Sequence, residues 1–452
     1  MKKQILHAYR VLVPDAVKRR IPARFKASAL GAAYALTGYP DLRLWQMRHL
    51  YKAGLGGWKT KNIADPLFSC NITPARDGSV GTERDAPGRF FVEFGFLGLK
   101  VKGQLTDRDA VAAGQVELRL DGHLLRHIGI MADQSGRARI LFTVRRPALD
   151  MFPRRGRLSL HDVTGRALTV DQRYFPTEQT TQPSTQIELA VPFGNGRIFG
   201  HLAATGQLDK KGWPQPTDAQ VQVRQQQMLE LYSRVQRVFA QEFNRPLFLL
   251  YGTLLGQVRE GDFIPGDDDF DVGYVTEART PAAIKAEAVA IMEKLVARGF
   301  IVSLNHLGRP HRIRDALSGG PEIHLDNHII FTPGDGHVWL HPRAKLPLTL
   351  DSFRTVEEVT MRGVEVLRPV GAEKFLAAHY GPDWRVPDPG YINIVTAQDR
   401  EVAQRLAALY LTRAEQRAFA RRLAKAGLAG DFIAAALEDP YPIQRWADRV
   451  GF

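Results

Sequence analysis

The chain has 452 residues, 44% of them hydrophobic and 24% charged, which is typical of globular protein and leaves room for two or three domains. Its one cysteine, Cys70, excludes an internal disulfide and a cysteine-based zinc site. The formal net charge is +13, and residues 1–61 hold 13 Lys or Arg against two acids, so +11 of that charge is local. No stretch has the roughly 18 to 20 consecutive apolar residues of a membrane-spanning helix.

Segment 1–61 is predicted to form short basic helices, because prolines interrupt it at Pro14, Pro22 and Pro40. Aromatic residues alternate with its charges, a pattern that suits contact with an anionic membrane surface. A solvated helical face is the alternative, and nucleic acid is the less favoured partner. Charged residues and a proline break its apolar runs, so we expect no secretory signal. We therefore expect a cytoplasmic protein, peripheral on the inner face of the membrane.

Segment 62–172 changes to an alternation of apolar and polar residues. The runs 90–94, 115–120, 138–142 and 157–160 are short, alternate with period two, and are separated by Gly and Asp turns. Short strands at this spacing predict an antiparallel, sandwich-like accessory domain. Nothing in it has the pattern of a catalytic constellation.

The remainder of the chain is predicted to hold a linker, a second domain and an extension. Residues 173–190 lie in a tract rich in Thr, Gln and Pro that indicates a linker. In 191–396, apolar residues at helical spacing predict a helix over 219–243, and strands and helices then alternate, so we expect an α+β domain. Residues 397–452 are predicted to be a helical extension.

The segment with the clearest chemistry is a run of acids. Asp267, Asp268, Asp269 and Asp271 lie within five residues, and such a cluster is costly unless it is solvated or neutralised by a cation. An acidic surface turn is the alternative. A strand beginning here would place Asp269 and Asp271 on one face, where two carboxylates suit a hard divalent ion. Asp326 interrupts another apolar run and is the candidate third acid.

Other uses of such a run fail on spacing. An EF-hand loop counted from Asp267 would need Gly and Glu where Val272 and Ala278 stand. No Walker A sequence and no Gly-x-Ser-x-Gly sequence is present. What remains is a strand, a Gly-Thr turn at Gly252 and Thr253, a helix, and a second strand with two acids. That order is typical of the nucleotidyltransferase superfamily, in which the turn faces phosphates and the acids hold metals.

The same residues closely resemble the LicD/fukutin-type phosphotransferase family. The resemblance rests on Tyr-Gly-Thr-Leu-Leu-Gly-Gln-Val-Arg at 251–259 and on Phe-Ile-Pro-Gly-Asp-Asp-Asp-Phe-Asp-Val at 263–272. A weaker match at 375–387 resembles the C-terminal element of the family. Together these cover roughly 220–390, and residues 1–190 resemble no family that we can name.

The resemblance implies a nucleotidyltransferase-like catalytic domain and a reaction. The family transfers a substituted phosphate, such as phosphocholine or a polyol phosphate, from a CDP-activated donor to a glycan. Two alternatives stay open: transfer of NMP to a small molecule or protein, and a non-catalytic glycan-binding scaffold.

Site residues are carried over by position. Asp269 and Asp271 would ligate Mg²⁺ or Mn²⁺, with Asp326 as the third acid. Substrate contacts are expected from Gly252 and Thr253 on the donor phosphates, from Arg259 beside the acidic loop, from Asp267, and from Arg312. Arg312 belongs to a cationic stretch over 309–314 that could clamp phosphates. Of the loop acids, Asp268 is the harder to assign.

One departure from the family bears on the donor. Where the family often has Trp before the acids, this chain has Gly266. A choline headgroup is recognised through aromatic faces, so the missing ring favours a polyol-phosphate donor over CDP-choline. By alternation, His324 and His328 lie on the same strand face as Asp326, where they would be ligands, a general base or structural histidines.

Overall fold

The computed structural model describes residues 21–37, 40–52, 66–75, 86–132, 136–175, 183–265, 267, 269–304, 311–318, 320, 323–340, 344–387 and 405–434. The described chain divides into two compact units, one ending at Pro216 and the other beginning at Thr217. No helix in the described ranges is both long and apolar enough to cross a membrane. Both helices and sheets are present, so the predicted α+β class is confirmed.

The first unit contains two five-stranded sheets. Its elements are α1 (Ala23–Thr37), α2 (Pro40–Lys52), β1 (Asn71–Pro74), β2 (Gly88–Gly95), β3 (Gly98–Leu105), α3 (Arg108–Ala112), β4 (Gln115–Leu120), β5 (His123–Gly129), β6 (Met131–Ala132), β7 (Ala138–Arg145), α4 (Arg146–Asp150), β8 (Arg155–Asp162), β9 (Thr169–Val170), β10 (Gln186–Ala190) and α5 (Ile198–Thr205). One sheet has the order β1-β10-β8-β4-β5 and the other β6-β7-β3-β2-β9. All pairings are antiparallel except that of β2 with β9.

Both sheets of the first unit contribute to one hydrophobic core. On β2, Phe90, Val92 and Phe94 are buried, and the residues between them face outward, as the alternation predicted. The buried positions of β4 and β8 join the same cluster. The helix α2 is anchored here through Asp41, which is 3% exposed, accepts the Phe96 N–H at 2.7 Å and pairs with Lys100.

The boundary between the units lies later than the sequence analysis placed it. Strand β10 falls inside the predicted linker 173–190, because Ile187 and Leu189 alternate into the core and pair β10 with β1 and β8. Segment 191–216, predicted as the start of the catalytic domain, packs with the first unit through Ile198 and Leu208.

The second unit carries the segment with the acids. Its elements are α6 (Asp218–Phe243), β11 (Phe248–Leu249), α7 (Tyr251–Glu260), β12 (Asp271–Val275), α8 (Pro281–Ala297), β13 (Ile301–Leu304), β14 (Arg312–Arg314), β15 (Leu325–Phe331), β16 (Val338–Leu340), β17 (Ala344–Leu346), α9 (Asp351–Arg354), β18 (Val356–Met361), β19 (Val364–Pro369), α10 (Ala372–Tyr380), α11 (Arg413–Ala426) and β20 (Asp431–Ala434).

The main sheet of this unit has the order β11-β12-β15-β14-β13-β20, with β16 and β17 continuing from β15. Strands β12 and β15 run parallel, so both begin at the same edge of the sheet. Helix α6 begins with a capping box between Thr217 and Gln220, and its apolar face enters the core below the sheet.

The C-terminal segment predicted as a helical extension contributes both a helix and a strand to this unit. Phe419 and Leu423 of α11 join the core, and β20 pairs in parallel with β13. A strand of only four residues, 431–434, is too short to be recognised in the sequence. Residues 435–452 of that extension lie outside the described ranges.

Candidate active site

Two of the predicted acids meet at the edge where β12 and β15 begin. Asp271 is the first residue of β12 and Asp326 the second of β15, and the two are direct partners in the parallel ladder. Asp269 lies just before β12, close enough for its charge to act on Asp271. The structure thus brings together the three acids that the sequence analysis selected as catalytic.

Asp271 is in an unfavourable place for a charge. Burial raises the pKa of its carboxyl group, and repulsion from Asp269 and Asp326 raises it further, whereas a hydrogen bond from His328 opposes both. A site that crowds negative charge around a partly buried carboxylate favours a cation.

An arginine and two histidines contact these acids. Arg312 Nε donates to Asp326 Oδ1 at 3.0 Å, and His324 Nε2 lies 3.7 Å from the same oxygen. His328 Nε2 lies 2.9 Å from Asp271 Oδ1. Both histidines therefore do face the acids, as the alternation predicted. Arg312, predicted to bind substrate, is instead an ion-pair partner of an acid in this state.

The turn before α7 lies at the same edge. Tyr251 has φ +46°, a backbone conformation that is unusual for a bulky residue and costs roughly 1 to 3 kcal/mol. The helical bonds begin with the Leu254 N–H donating to Leu250 O, so the N–H groups before it have no partner within the helix. These groups and the helix dipole make an N-terminus suited to phosphate.

Gly252 leaves this helix terminus open to the acidic loop. A Cβ at this position would lie 3.3 Å from Asp267 Oδ2, tighter than most such contacts. The loop is held by a residue that the sequence analysis did not select: Gln225 of α6, 3% exposed, donates through Nε2 to Asp267 O at 2.9 Å. A glutamine inside the apolar stripe of α6 was the available signal. Gly266 and Asp268 lie outside the described residues.

Thr253 was predicted to contact the donor phosphates, but its hydroxyl makes a different contact. Its side chain is fully buried, and Oγ1 accepts the Asp271 N–H at 2.9 Å. The hydroxyl therefore ties the start of α7 to the first residue of β12.

Arg259, predicted to support the acidic loop or a phosphate, is 12% exposed and pairs with Glu260 at 2.7 Å. Its described ion pair thus joins it to its neighbour in the helix.

Aromatic rings close one side of the site. The ring of Tyr251 lies 5.1 Å from that of His328 and 4.9 Å from that of His379, both edge to face. His379 stacks in turn on Phe375. Burial lowers the pKa of His379 to about 4, so this histidine is neutral at physiological pH. Burial also raises the pKa of the Tyr251 hydroxyl, with further contributions from Asp271 and Tyr380.

A buried polar pair supports the strand that carries Asp326. His311 Nε2 lies 3.0 Å from Asn327 Nδ2, and both side chains are almost completely buried. Desolvation lowers the pKa of His311 to about 3, and the charge of His328 lowers it further, so neutral His311 accepts the amide hydrogen. Arg309, from the same predicted cationic stretch, lies outside the described residues.

The chemistry of the donor set fits a hard divalent ion, because carboxylate oxygens are the ligands that Mg²⁺ and Mn²⁺ prefer. Within the described ranges, however, no three acidic, histidine or cysteine side chains are already arranged around one metal position. In this structure Asp326 pairs with Arg312 at 3.0 Å and Asp271 with His328 at 2.9 Å.

Comparison with known proteins locates the same segment. Residues 244–354 match the family model described as the LicD/FKTN/FKRP nucleotidyltransferase domain. This range contains β11, the turn, α7, β12 and β15, and therefore Asp269, Asp271 and Asp326. No curated protein sequence matches the chain.

Proposed function

We propose that this chain transfers a substituted phosphate from a CDP-activated donor, because residues 244–354 match the LicD domain model, whose family is of a transferase type. The acceptor is a cell-surface glycan or its precursor, and the reaction depends on Mg²⁺ or Mn²⁺. The domain responsible is the second unit, acting as a nucleotidyltransferase-like catalytic domain. The β-rich first unit acts as its sandwich-like accessory domain.

The crowding of Asp269, Asp271 and Asp326 at one sheet edge is the observation that carries this proposal. Three acids that raise the pKa of one of their members destabilise the folded protein unless a cation joins them. Here the repulsion between acids lies beside the N-terminus of α7.

These three acids would hold the metal. When bound, the ion neutralises charge on the donor phosphates and on the leaving CMP. Arg312 and His328 would move from their carboxylates toward the bound substrate, where the cation of Arg312 suits a phosphate oxygen. The N–H groups at the start of α7 orient the donor, and Gly252 leaves room for it.

The balance of bonds is that of an in-line displacement. An acceptor hydroxyl attacks the phosphorus that bears the headgroup, the bond to the CMP oxygen breaks, and the hydroxyl proton is lost. We propose His324, whose Nε2 lies 3.7 Å from Asp326 Oδ1, as the side chain that receives that proton.

The test is release of CMP from CDP-glycerol, CDP-ribitol and CDP-choline in the presence of a crude glycan acceptor, with and without Mg²⁺ or Mn²⁺. We expect metal-dependent turnover that is faster with the polyol donors than with choline. CDP-choline turning over faster than both would contradict the donor preference alone. Transfer of the CMP group itself to the acceptor would indicate the NMP-transferring alternative, and metal-independent binding without turnover would indicate the scaffold.

The charge of residues 1–61 supports a peripheral location on the inner face of an anionic membrane. Each Lys or Arg near such a surface contributes about 1 kcal/mol, and salt weakens the interaction. We expect sedimentation with vesicles that contain anionic lipid, and loss of that binding in a chain starting after Lys61. Equal binding by both proteins would refute this location. Tighter binding to nucleic acid than to vesicles would indicate that nucleic acid is the partner of residues 1–61.

A further inference from the structure

Helix α11 carries a row of cations on its outward face. Arg417, Arg421 and Lys425 are exposed and lie four residues apart, so successive members are about 6 Å apart along the helix. None of the three has a hydrogen bond, an ion pair or a cation–π contact with another described residue. Arg413, half-buried, precedes them at the same spacing.

The other charges of this helix have partners. Arg422 donates to Glu293 of α8 at 2.6 Å, and Lys285 of α8 reaches Glu415 at 3.0 Å. These two ion pairs tie α11 to α8. The row is therefore distinct from the charges that hold the helix in place.

The helix is fixed with the row outward. A capping box of Thr412 and Glu415 begins it, Gly427 ends it with φ +58°, and Phe419 and Leu423 are buried in the core. Like charges at four-residue spacing destabilise a helix, so three in a row are unfavourable until an anion lies along them.

The form of the row favours one kind of anion. The large apolar residues of α11 face the core, and the exposed residues beside the cations include Ala414 and Ala418, so the helix offers no side chain for insertion into a bilayer. A fluid lipid surface requires no particular spacing of charges. A linear polymer whose phosphates repeat after a short polyol unit presents its charges at a spacing similar to that of the row.

We propose that Arg417, Arg421 and Lys425 bind a linear polyol-phosphate chain, the part of the acceptor that already bears substituted phosphates. The choice of this polymer rests on the proposed function, whereas the cationic row does not depend on it. Such a contact would hold a growing acceptor on the enzyme between transfers.

The experiment measures binding of a fluorescent synthetic glycerol-phosphate oligomer to the full chain by anisotropy, without donor, over a series of salt concentrations. The test variant carries Arg417→Gln, Arg421→Gln and Lys425→Gln. The matched control carries Arg237→Gln, Arg279→Gln and Lys374→Gln, three exposed cations on separate parts of the second unit. Both variants lose the same charge, so a non-specific effect of net charge would weaken them equally.

We expect about tenfold weaker binding in the row variant and less than threefold in the control, since each exposed ion pair contributes modestly. The slope of log affinity against log salt concentration should become shallower by about two, because each lost phosphate contact removes about 0.7 from that slope. Arg421→Gln alone should lower affinity about threefold and melt no lower than the original protein, which separates binding from misfolding.

Equal losses in the two triple variants would overturn the proposal. So would a row variant that keeps its affinity for the oligomer while losing affinity for anionic vesicles or duplex DNA. Because no donor is present, the outcome is independent of turnover: a chain that binds the oligomer but releases no CMP contradicts the proposed function and leaves this site intact.

Discussion

Two buried aspartates, one in each unit, respond to burial in opposite ways. Asp162 in the first unit has no exposed side-chain area, and Asp271 in the second is 19% exposed. Burial opposes charge at both. At Asp162, hydrogen bonds from Thr164 and Arg166 outweigh it and lower the pKa. At Asp271 the neighbours are acids, and the pKa is raised.

The difference lies in what surrounds each carboxylate. Asp162 accepts bonds from the Thr164 hydroxyl at 2.7 Å and from Arg166 Nε at 2.7 Å, so its charge stabilises a turn. Among the described residues, the Asp271 carboxylate has His328 as its hydrogen-bond partner and two acids as neighbours. A buried acid with a complete set of donors is structural, whereas one crowded by other acids in an edge site is a candidate for function.

The largest expected effect comes from Asp271→Asn. This nearly isosteric change removes a ligand charge, so metal-dependent turnover should fall by about 1,000-fold. Stability should not fall. A raised folded-state pKa means that the ionised carboxyl destabilises the fold above its unfolded pKa of about 4, so at pH 7 the variant should melt at the same temperature or higher. Turnover and thermal melting measure the two effects.

Two further measurements sharpen this result. Mg²⁺ or Mn²⁺ should raise the melting temperature of the original protein and not that of Asp271→Asn, because an ion that binds only the folded state stabilises it. Asp326→Asn should behave in the same way. Near-normal turnover in both variants would contradict the proposal that Asp271 and Asp326 are metal ligands.

Asp162→Asn is the matched substitution in the first unit, and the opposite outcome is expected. The amide cannot satisfy Arg166 as the carboxylate does, so the free energy of unfolding should fall by about 3 kcal/mol. Turnover per folded molecule should be unchanged. Chemical denaturation gives the first value and activity at low temperature the second. If both Asn variants lost the same stability, the contrast between the two carboxylates would fail.

A smaller effect is expected from His379, whose half-buried ring lies beside the site. His379 has its pKa lowered to about 4 by desolvation, so it contributes stability above the unfolded pKa near 6.5, and that contribution is lost as the pH falls toward 4. His379→Phe keeps the stacking on Phe375 and removes the titration. Between pH 6.5 and pH 4 the original protein should lose about 2 kcal/mol of unfolding free energy that the variant retains. The value is reduced because the ring is partly exposed.

Denaturation at pH 7.0 and pH 4.5 measures that difference. His337→Gln, which removes a more exposed histidine, is the control: a change in pH dependence as large as that of His379→Phe would mean that the loss of any histidine has this effect. A pH dependence that is identical in His379→Phe and the original protein would contradict the assignment.

The sequence located the acids because residue type and spacing carry that information. Helix 219–243 was found to within one residue for the same reason, since its apolar stripe is long. The features that could not be predicted depend on tertiary structure. The bond of Gln225 to the acidic loop and the pairing of Arg312 with Asp326 each join separate elements of the fold. The positive φ of Tyr251 is likewise not encoded by any local pattern in the sequence.

Thr253 shows this difference between prediction and structure most directly, and its substitution has the smallest expected effect. The Gly-Thr turn was predicted to face phosphate, whereas the Thr253 hydroxyl is buried on the Asp271 N–H. Thr253→Val keeps the shape and leaves that N–H without an acceptor, which should cost about 1.5 kcal/mol of unfolding free energy and lower kcat by loosening Asp271. Thr253→Ser keeps the hydroxyl and should restore both. Denaturation and steady-state kinetics distinguish this role from contact with the donor: a rise in KM with stability unchanged would mean that the hydroxyl binds phosphate.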